Sequence, residues 1–276
     1  MKQEGLGQNQ ETKIDKYQFK IGEKMNIYIS TCDSYDRILK PFSYLFNKFW
    51  DSSLNVTILG YRKPPFELPE NFKFVSLGKK QISVNHWSTD LHNFFSSIED
   101  EHFIYAVEDL FICDYVDVEA IEKLIENLDE KTGRIALVNV FEKHCNWNVT
   151  NDYGRFKVGT ATNSSHKFST IWSLFNRQWF LKYVLPKTQE QMDRGEGNPW
   201  YTEVNGDNMS TNDGWNVKGP IGVSPIKFTS AVRKGWTPES NKPFDFLMSN
   251  EGRSLDESVI QDMIDKKLIS ESRGII

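Results

Sequence analysis

The chain has 276 residues, of which 38% are hydrophobic and 26% charged, enough for one large α/β domain with a substantial core or at most two small ones. Its 33 Lys and Arg against 38 Asp and Glu leave a net charge of −5, so no global basic field favours nucleic acid or anionic membrane. Nineteen Phe, 10 Tyr and 8 Trp make it aromatic-rich, and the three Cys, odd in number and far apart, argue for a reducing compartment rather than a disulfide framework.

Residues 1–22 read as a polar, flexible tail, with no apolar run of the length a membrane span needs. The predicted location is therefore cytoplasmic. Met25 to Ile29 is a short β-rich run followed by Ser30-Thr31-Cys32-Asp33-Ser34, a stretch able to turn the chain and cap a helix. Ile38, Leu39, Phe42, Leu45, Phe46 and Phe49 then recur at three-and-four spacing, which predicts an amphipathic helix in spite of Pro41. Asn55 to Gly60 and Phe72 to Leu77 read as strands, and Ser88 to Ser97 as a helix. Phe103 to Val107 is apolar on both faces, as a central parallel strand covered by helices would be. A helix over Val118 to Leu128 and a strand over Arg134 to Val140 continue the alternation. The implied fold is α/β, an open, mostly parallel twisted sheet flanked by helices.

The second half is less regular. Asn146 to His166 is polar and rich in Gly, Asn and Thr. Thr170 to Leu185 reads as helical, and Thr188 to Gly219 as a long polar loop of the kind that carries function. Ser254-Leu255-Asp256-Glu257 matches a capping box opening a helix to about Lys267. Residues 23–276 are expected to form a single domain, with 23–140 and 141–250 as two functional halves and 251–276 as a C-terminal helical segment.

Two acids, Glu108 and Asp109, follow the predicted central strand, and ligands of open α/β sheets bind at the carboxyl ends of strands. Adjacent carboxylates there repel each other and lose hydration, which a divalent cation bridging to phosphate oxygens would offset. The competing reading is that one acid caps the following turn while the other pairs with a Lys or Arg. No GxSxG elbow, GxxxxGK[ST] or GxGxxG is present, which disfavours serine hydrolases, P-loop NTPases and dinucleotide enzymes.

Three blocks carry a resemblance. They are Ile27 to Asp36 (IYISTCDSYD) with the following aromatic helix, strand and Gly60-Tyr61; Phe103 to Asp117 (FIYAVEDLFICDYVD); and Trp172 together with Asn198-Pro199-Trp200-Tyr201-Thr202-Glu203. Together they resemble bacterial and viral nucleotide-sugar glycosyltransferases of the GT-A fold. Trp172 corresponds to a Trp-containing helix in that resemblance, and Pro199 to Glu203 to a Pro-Trp-x-x-Glu block. The acidic motif departs from the pattern, being Glu-Asp rather than Asp-x-Asp.

The resemblance implies a donor that is a nucleotide-diphosphate sugar, an acceptor hydroxyl on a glycan or another molecule, and Mn²⁺ or Mg²⁺ held by Glu108 and Asp109. It implies that Thr31, Asp33 and Tyr35 meet the uracil or ribose, with helix capping as the alternative for Asp33. Arg62 faces the nucleotide or is an exposed loop arginine. Arg233 and Lys234 neutralise the leaving diphosphate or form a solvated pair. Glu203 is the candidate base for an inverting transfer beside the acceptor wall of Trp200 and Tyr201, with Asp109 the other catalytic candidate. The rivals are a nucleotidyltransferase, although Ser30 to Ser34 lacks the Gly-rich basic loop such enzymes carry, and a non-catalytic glycan-binding scaffold. Nucleic acid enters only as an acceptor, through a modified DNA base.

Overall fold

A computed structural model describes residues 25–78, 84–139, 145–164, 168–185, 193–195, 197–198, 214–231 and 255–273. The expectations for residues 1–22, for most of the 188–219 loop, and for Trp200, Tyr201, Glu203, Arg233 and Lys234 lie outside the described residues.

The first half alternates as its periodicity predicts. Strands β1 (Ile27–Ser30), β2 (Val56–Gly60), β3 (Phe72–Ser76) and β4 (His102–Val107) are parallel neighbours. Helix α1 (Leu39–Phe49) joins β1 to β2, and α2 (Trp87–Ser97) precedes β4. A three-residue strand β5 (Leu110–Ile112), helix α3 (Val118–Ile125) and strand β6 (Thr132–Ala136) follow, so the sixth strand begins and ends earlier than its apolar run suggested.

The second half supplies strands β7 (Cys145–Asp152), β8 (Lys157–Ser164), β9 (Ser173–Asn176), β10 (Asn216–Ile221) and β11 (Phe228–Ser230), a short helix α4 (Arg177–Trp179) running into a π-helical turn (Phe180–Val184), and helix α5 (Glu257–Asp265). Among the described residues nine strands form one sheet in the order β3-β2-β1-β4-β9-β6-β10-β8-β7, while β5 and β11 pair separately. Strand β4 is interior, between β1 and β9, as its two apolar faces require. The sheet is mixed and mostly parallel, with β9 antiparallel to both β4 and β6, and β8 antiparallel to both β10 and β7.

Side-chain alternation splits the core into two layers. Ile27, Ile29, Ile58, Ile104 and Ala106 face the layer containing α1, α3 and α5 through Phe42, Ile121 and Met263. Tyr28, Leu59, Phe103 and Tyr105 face the layer of α2 and the 177–184 segment, through Phe95, Trp179 and Phe180. Pro41 is harmless because it stands in the first turn of α1, where its missing N–H has no intrahelical acceptor.

Several local expectations are corrected. The span Thr170 to Leu185 opens as a strand, because Trp172 and Leu174 face one layer and Phe175 the other. Burial on both faces erases the polar half of a two-residue period, so the segment imitates a buried helix. Trp172 accordingly stands just before β9, not in a helix. The polar stretch after Asn146 is a β-hairpin over its described residues, to Ser164, with Trp147 lying over Gly159 and Gly219. Neither Asp33 nor Ser34 caps the first helix: Tyr35 occupies the cap position of a 3-10 turn, and its side chain does not cap it. The cap of α5 is Asp256, which accepts from the Ser258 amide at 2.8 Å.

Candidate functional site

From β1 the chain proceeds outward to β2 and β3, and then β4 is laid on the other side of β1. Strand order thus reverses between β1 and β4. In open α/β sheets the crevice at the carboxyl end of such a reversal is where ligands bind, since the two connections leave in opposite directions and part from each other there. The residues at that point are Thr31 to Asp36 after β1 and Glu108 and Asp109 after β4.

The two loops are tied together. The Glu108 amide donates to the Ser30 carbonyl at 3.2 Å. Its carboxylate oxygen Oε1 accepts from the Thr31 hydroxyl at 3.2 Å and from the Cys32 amide at 3.4 Å. Glu108 is only 6% exposed. Burial, and next the charge of Asp109, push its carboxyl up to about 8. Below the turn, Ser30 and Tyr105 share a hydroxyl hydrogen bond of 2.6 Å. On the far side, the Ala231 amide donates to the Asp109 carbonyl at 2.7 Å, so the β5–β11 ribbon fixes the turn from its other end.

The loop after β1 lies within the field of this pair. Burial and then the charge of Asp109 push the Tyr35 phenol up to about 12. Burial and then the charge of Glu108 do the same to the Cys32 thiol, which removes it as a nucleophile near neutral pH. Tyr35, Cys32, Glu108 and Asp109 are therefore one electrostatic group, with Tyr35 half-buried beside the acidic turn.

Arg62 completes the outer side. Its Nε and Nη2 donate to Asp36 Oδ2 at 2.9 and 2.6 Å, and Nη2 also donates to the Asp33 carbonyl at 2.8 Å. Its backbone amide donates to Asp33 Oδ1 at 3.1 Å. Arg62 and Asp33, placed at the site separately by sequence, are thus brought together, and Asp33 is spent on the β2 loop rather than on a helix cap.

Sequence reasoning missed three residues. Asp36 is buried under the Arg62 guanidinium; the signal was its position three residues before buried Leu39, on the inner face of the helix start. Tyr61 donates to Asp90 at 2.6 Å and links the β2 loop to α2. Gly60 has no room for a side chain, because a Cβ there would lie 2.7 Å from the Thr31 methyl group. Of the described acidic, His and Cys residues, no three converge as a ready-made metal cage. No described helix is long and apolar enough to cross a membrane.

No family model matches the chain, and no curated protein matches it. Among solved structures it is similar to a galactosyltransferase, LgtC, in complex with donor and acceptor sugar analogs, at 11% identity and a TM-score of 0.39, over 66% of this chain and 70% of that one. It is also similar to the glycosyltransferase GlyE of Streptococcus pneumoniae TIGR4 at 13% identity and a TM-score of 0.38, over 70% of this chain and 45% of that one. The apo form of GlyE gives 14% identity and a TM-score of 0.40. Less than half of GlyE is therefore spanned. Likeness at this level says nothing about chemistry, which has to come from the chain's own residues.

Proposed function

We propose that this chain is a nucleotide-sugar-dependent glycosyltransferase, moving a sugar from a nucleotide diphosphate to an acceptor hydroxyl. The observation that carries the reading is the acidic turn Glu108-Asp109 at the strand-order reversal, joined through Glu108 to the loop after β1. A nucleotide diphosphate needs a crevice at such a reversal and a way to hold its charge.

The residues present fit a hard divalent cation. Two adjacent carboxylates are the usual protein share of a Mg²⁺ or Mn²⁺ site whose remaining ligands are waters and substrate phosphates. Burial, and next the charge of Asp109, disfavour the ionised form of Glu108, a cost that such an ion would relieve. Glu108 and Asp109 would hold it. When bound, the ion would neutralise charge developing on the leaving diphosphate.

The rest falls to this chain's residues. Asp33 and Tyr35, with Arg62 behind them, form the nucleoside side of the crevice, and Arg233 and Lys234 are assigned to the departing diphosphate. Glu203 is assigned as the base that takes the acceptor hydroxyl proton, with Trp200 and Tyr201 as the acceptor wall; inversion follows if that carboxylate works alone. In this reading residues 23–140 bind the donor and 141–250 the acceptor, within one domain.

The test is a panel of nucleoside diphosphates and nucleotide sugars, each with and without Mn²⁺, read by thermal denaturation. A ligand at a hundred times its dissociation constant adds about 2.7 kcal/mol. Stabilisation by one donor, larger with the cation, is the expected result, and the anomeric configuration of the product then fixes the stereochemical course. Absence of stabilisation by every donor would reject the reading in favour of a glycan-binding scaffold.

A further inference from the structure

Thr31 was assigned to the donor, but its side chain is spent elsewhere. Its methyl group fills the space a side chain at Gly60 would need, with the built Cβ 2.7 Å from Thr31 Cγ2. Its amide donates to the Leu59 carbonyl at 2.8 Å, and its hydroxyl donates to Glu108 Oε1 at 3.2 Å. Thr31 is 6% exposed, as is Glu108. The methyl against Gly60 limits the rotation of Thr31, since a β-branched side chain has few χ1 states to choose from. The hydroxyl thereby reaches Glu108 Oε1, the nearer of its two acceptors, the other being the Cys32 carbonyl at 3.4 Å. The Cys32 amide lands on the same carboxylate oxygen at 3.4 Å.

We infer that Thr31, backed by Gly60, is a positioning residue that sets the Glu108 carboxylate for a divalent cation bound together with a nucleoside diphosphate, and is not itself a contact of the nucleotide. The ends of three adjacent strands, β2, β1 and β4, act as one unit: a glycine that yields space, a threonine that fills it and a glutamate held by the hydroxyl. This rests on the function proposed above. It differs in what it predicts for Thr31: a nucleotide contact serves with or without the cation, whereas a positioner of a cation ligand serves only with it.

The experiment is calorimetric titration of the full chain with the nucleoside diphosphate that stabilises it best, in Mn²⁺ and again in chelator, for wild type, Thr31→Val, Thr31→Ser and Gly60→Ala. Thr31→Val keeps the shape and removes the hydroxyl. It is expected to weaken binding in Mn²⁺ about tenfold or more, the scale of a lost hydrogen bond to a charged group, with binding in chelator unchanged. Thr31→Ser, which keeps the hydroxyl, should restore most of the loss. Gly60→Ala, which displaces the methyl, should follow Thr31→Val. Equal weakening of Thr31→Val in both conditions, or none in either, overturns the inference while leaving the transferase reading intact. Failure of wild type to bind any nucleoside diphosphate in either condition overturns both. Should Thr31→Val not fold, Thr31→Ser and Gly60→Ala still decide: a Gly60→Ala protein with unchanged cation-dependent binding refutes the positioning role.

Discussion

The indole N–H of Trp172 donates to the carbonyl of Leu110 at 3.0 Å, entirely within the core. Leu110 directly follows the acidic turn, and the same indole stacks on Phe42 of α1 with ring centroids 6.1 Å apart and planes 4° from parallel. Trp172→Phe keeps much of the stack but leaves a buried carbonyl without its donor. It should cost about 1–3 kcal/mol, measured by denaturant unfolding; unchanged stability would show that the bond contributes nothing.

Gly133 lies against the face of the Trp179 indole. A Cβ built there would be 2.5 Å from two ring atoms of a fully buried side chain. Gly133→Ala should destabilise the fold by about 1–3 kcal/mol through overpacking, visible as a lower unfolding midpoint at unchanged slope. A midpoint equal to wild type would mean that the ring moves aside freely.

His102 is buried at the start of β4, where burial holds its pKa below the ordinary value against a smaller opposing effect of Glu101. Its Nε2 is 3.3 Å from Asn176 Nδ2, and its Nδ1 is buried without a hydrogen-bond partner. Between the depressed folded pKa and the unfolded value of about 6.5, the unfolded chain binds more protons, so stability rises with pH there. The fold should be at full strength above that window and weaken as pH falls through it. His102→Gln should remove that part of the slope in a series of melts from about pH 5 to 7; an identical profile in the variant would assign the slope to other groups.

Asp109→Asn removes the charge of the acidic turn while conserving its shape. Donor turnover should fall by on the order of a hundredfold or more, the scale of several kcal/mol of lost charge stabilisation, with an unfolding curve close to wild type. Glu108→Gln should be milder if Glu108 acts through a water. Wild-type turnover in both variants at saturating donor would end the assignment of the pair to a cation.

Glu203→Gln addresses the acceptor. Transfer should drop about a hundredfold, the usual contribution of a general base, while donor affinity stays near wild type. Unimpaired transfer would leave the base to be sought elsewhere in the chain.

How far the sequence was legible depended on where polarity survived. Phe103 to Val107 was readable because a strand covered on both faces is a short apolar run between polar ends, and it is interior as expected. The same rule hid β9, whose Trp172, Leu174 and Phe175 divide between two core layers and so lose the alternation that marks a half-exposed strand. The hairpin of β7 and β8 was hidden for the opposite reason: most of β7 faces outward, and its polar residues look like loop. Glu108, Asp109, Asp33, Tyr35 and Arg62 could be named as candidates because each follows a strand. That Arg62 is gripped by Asp36, or that Thr31 fits the gap above Gly60, depends on which strands are neighbours, and no local pattern encodes that.

The antiparallel β9 also governs how this chain can fold. Among the described strands it alone links β4 and β6 in the sheet, and the residues of both are made well before it. A nascent chain elongating at about 5–20 residues per second therefore carries the β3-β2-β1-β4 group and β6 unjoined until residues 173–176 emerge. Closing the gap means inserting a four-residue strand between partners some 70 and 40 positions earlier, as His102↔Asn176 and Arg134↔Phe175 record. Such distant pairings slow folding and keep strand edges open to other chains in the meantime. Truncation before residue 173 should yield not half a protein but an adhesive one.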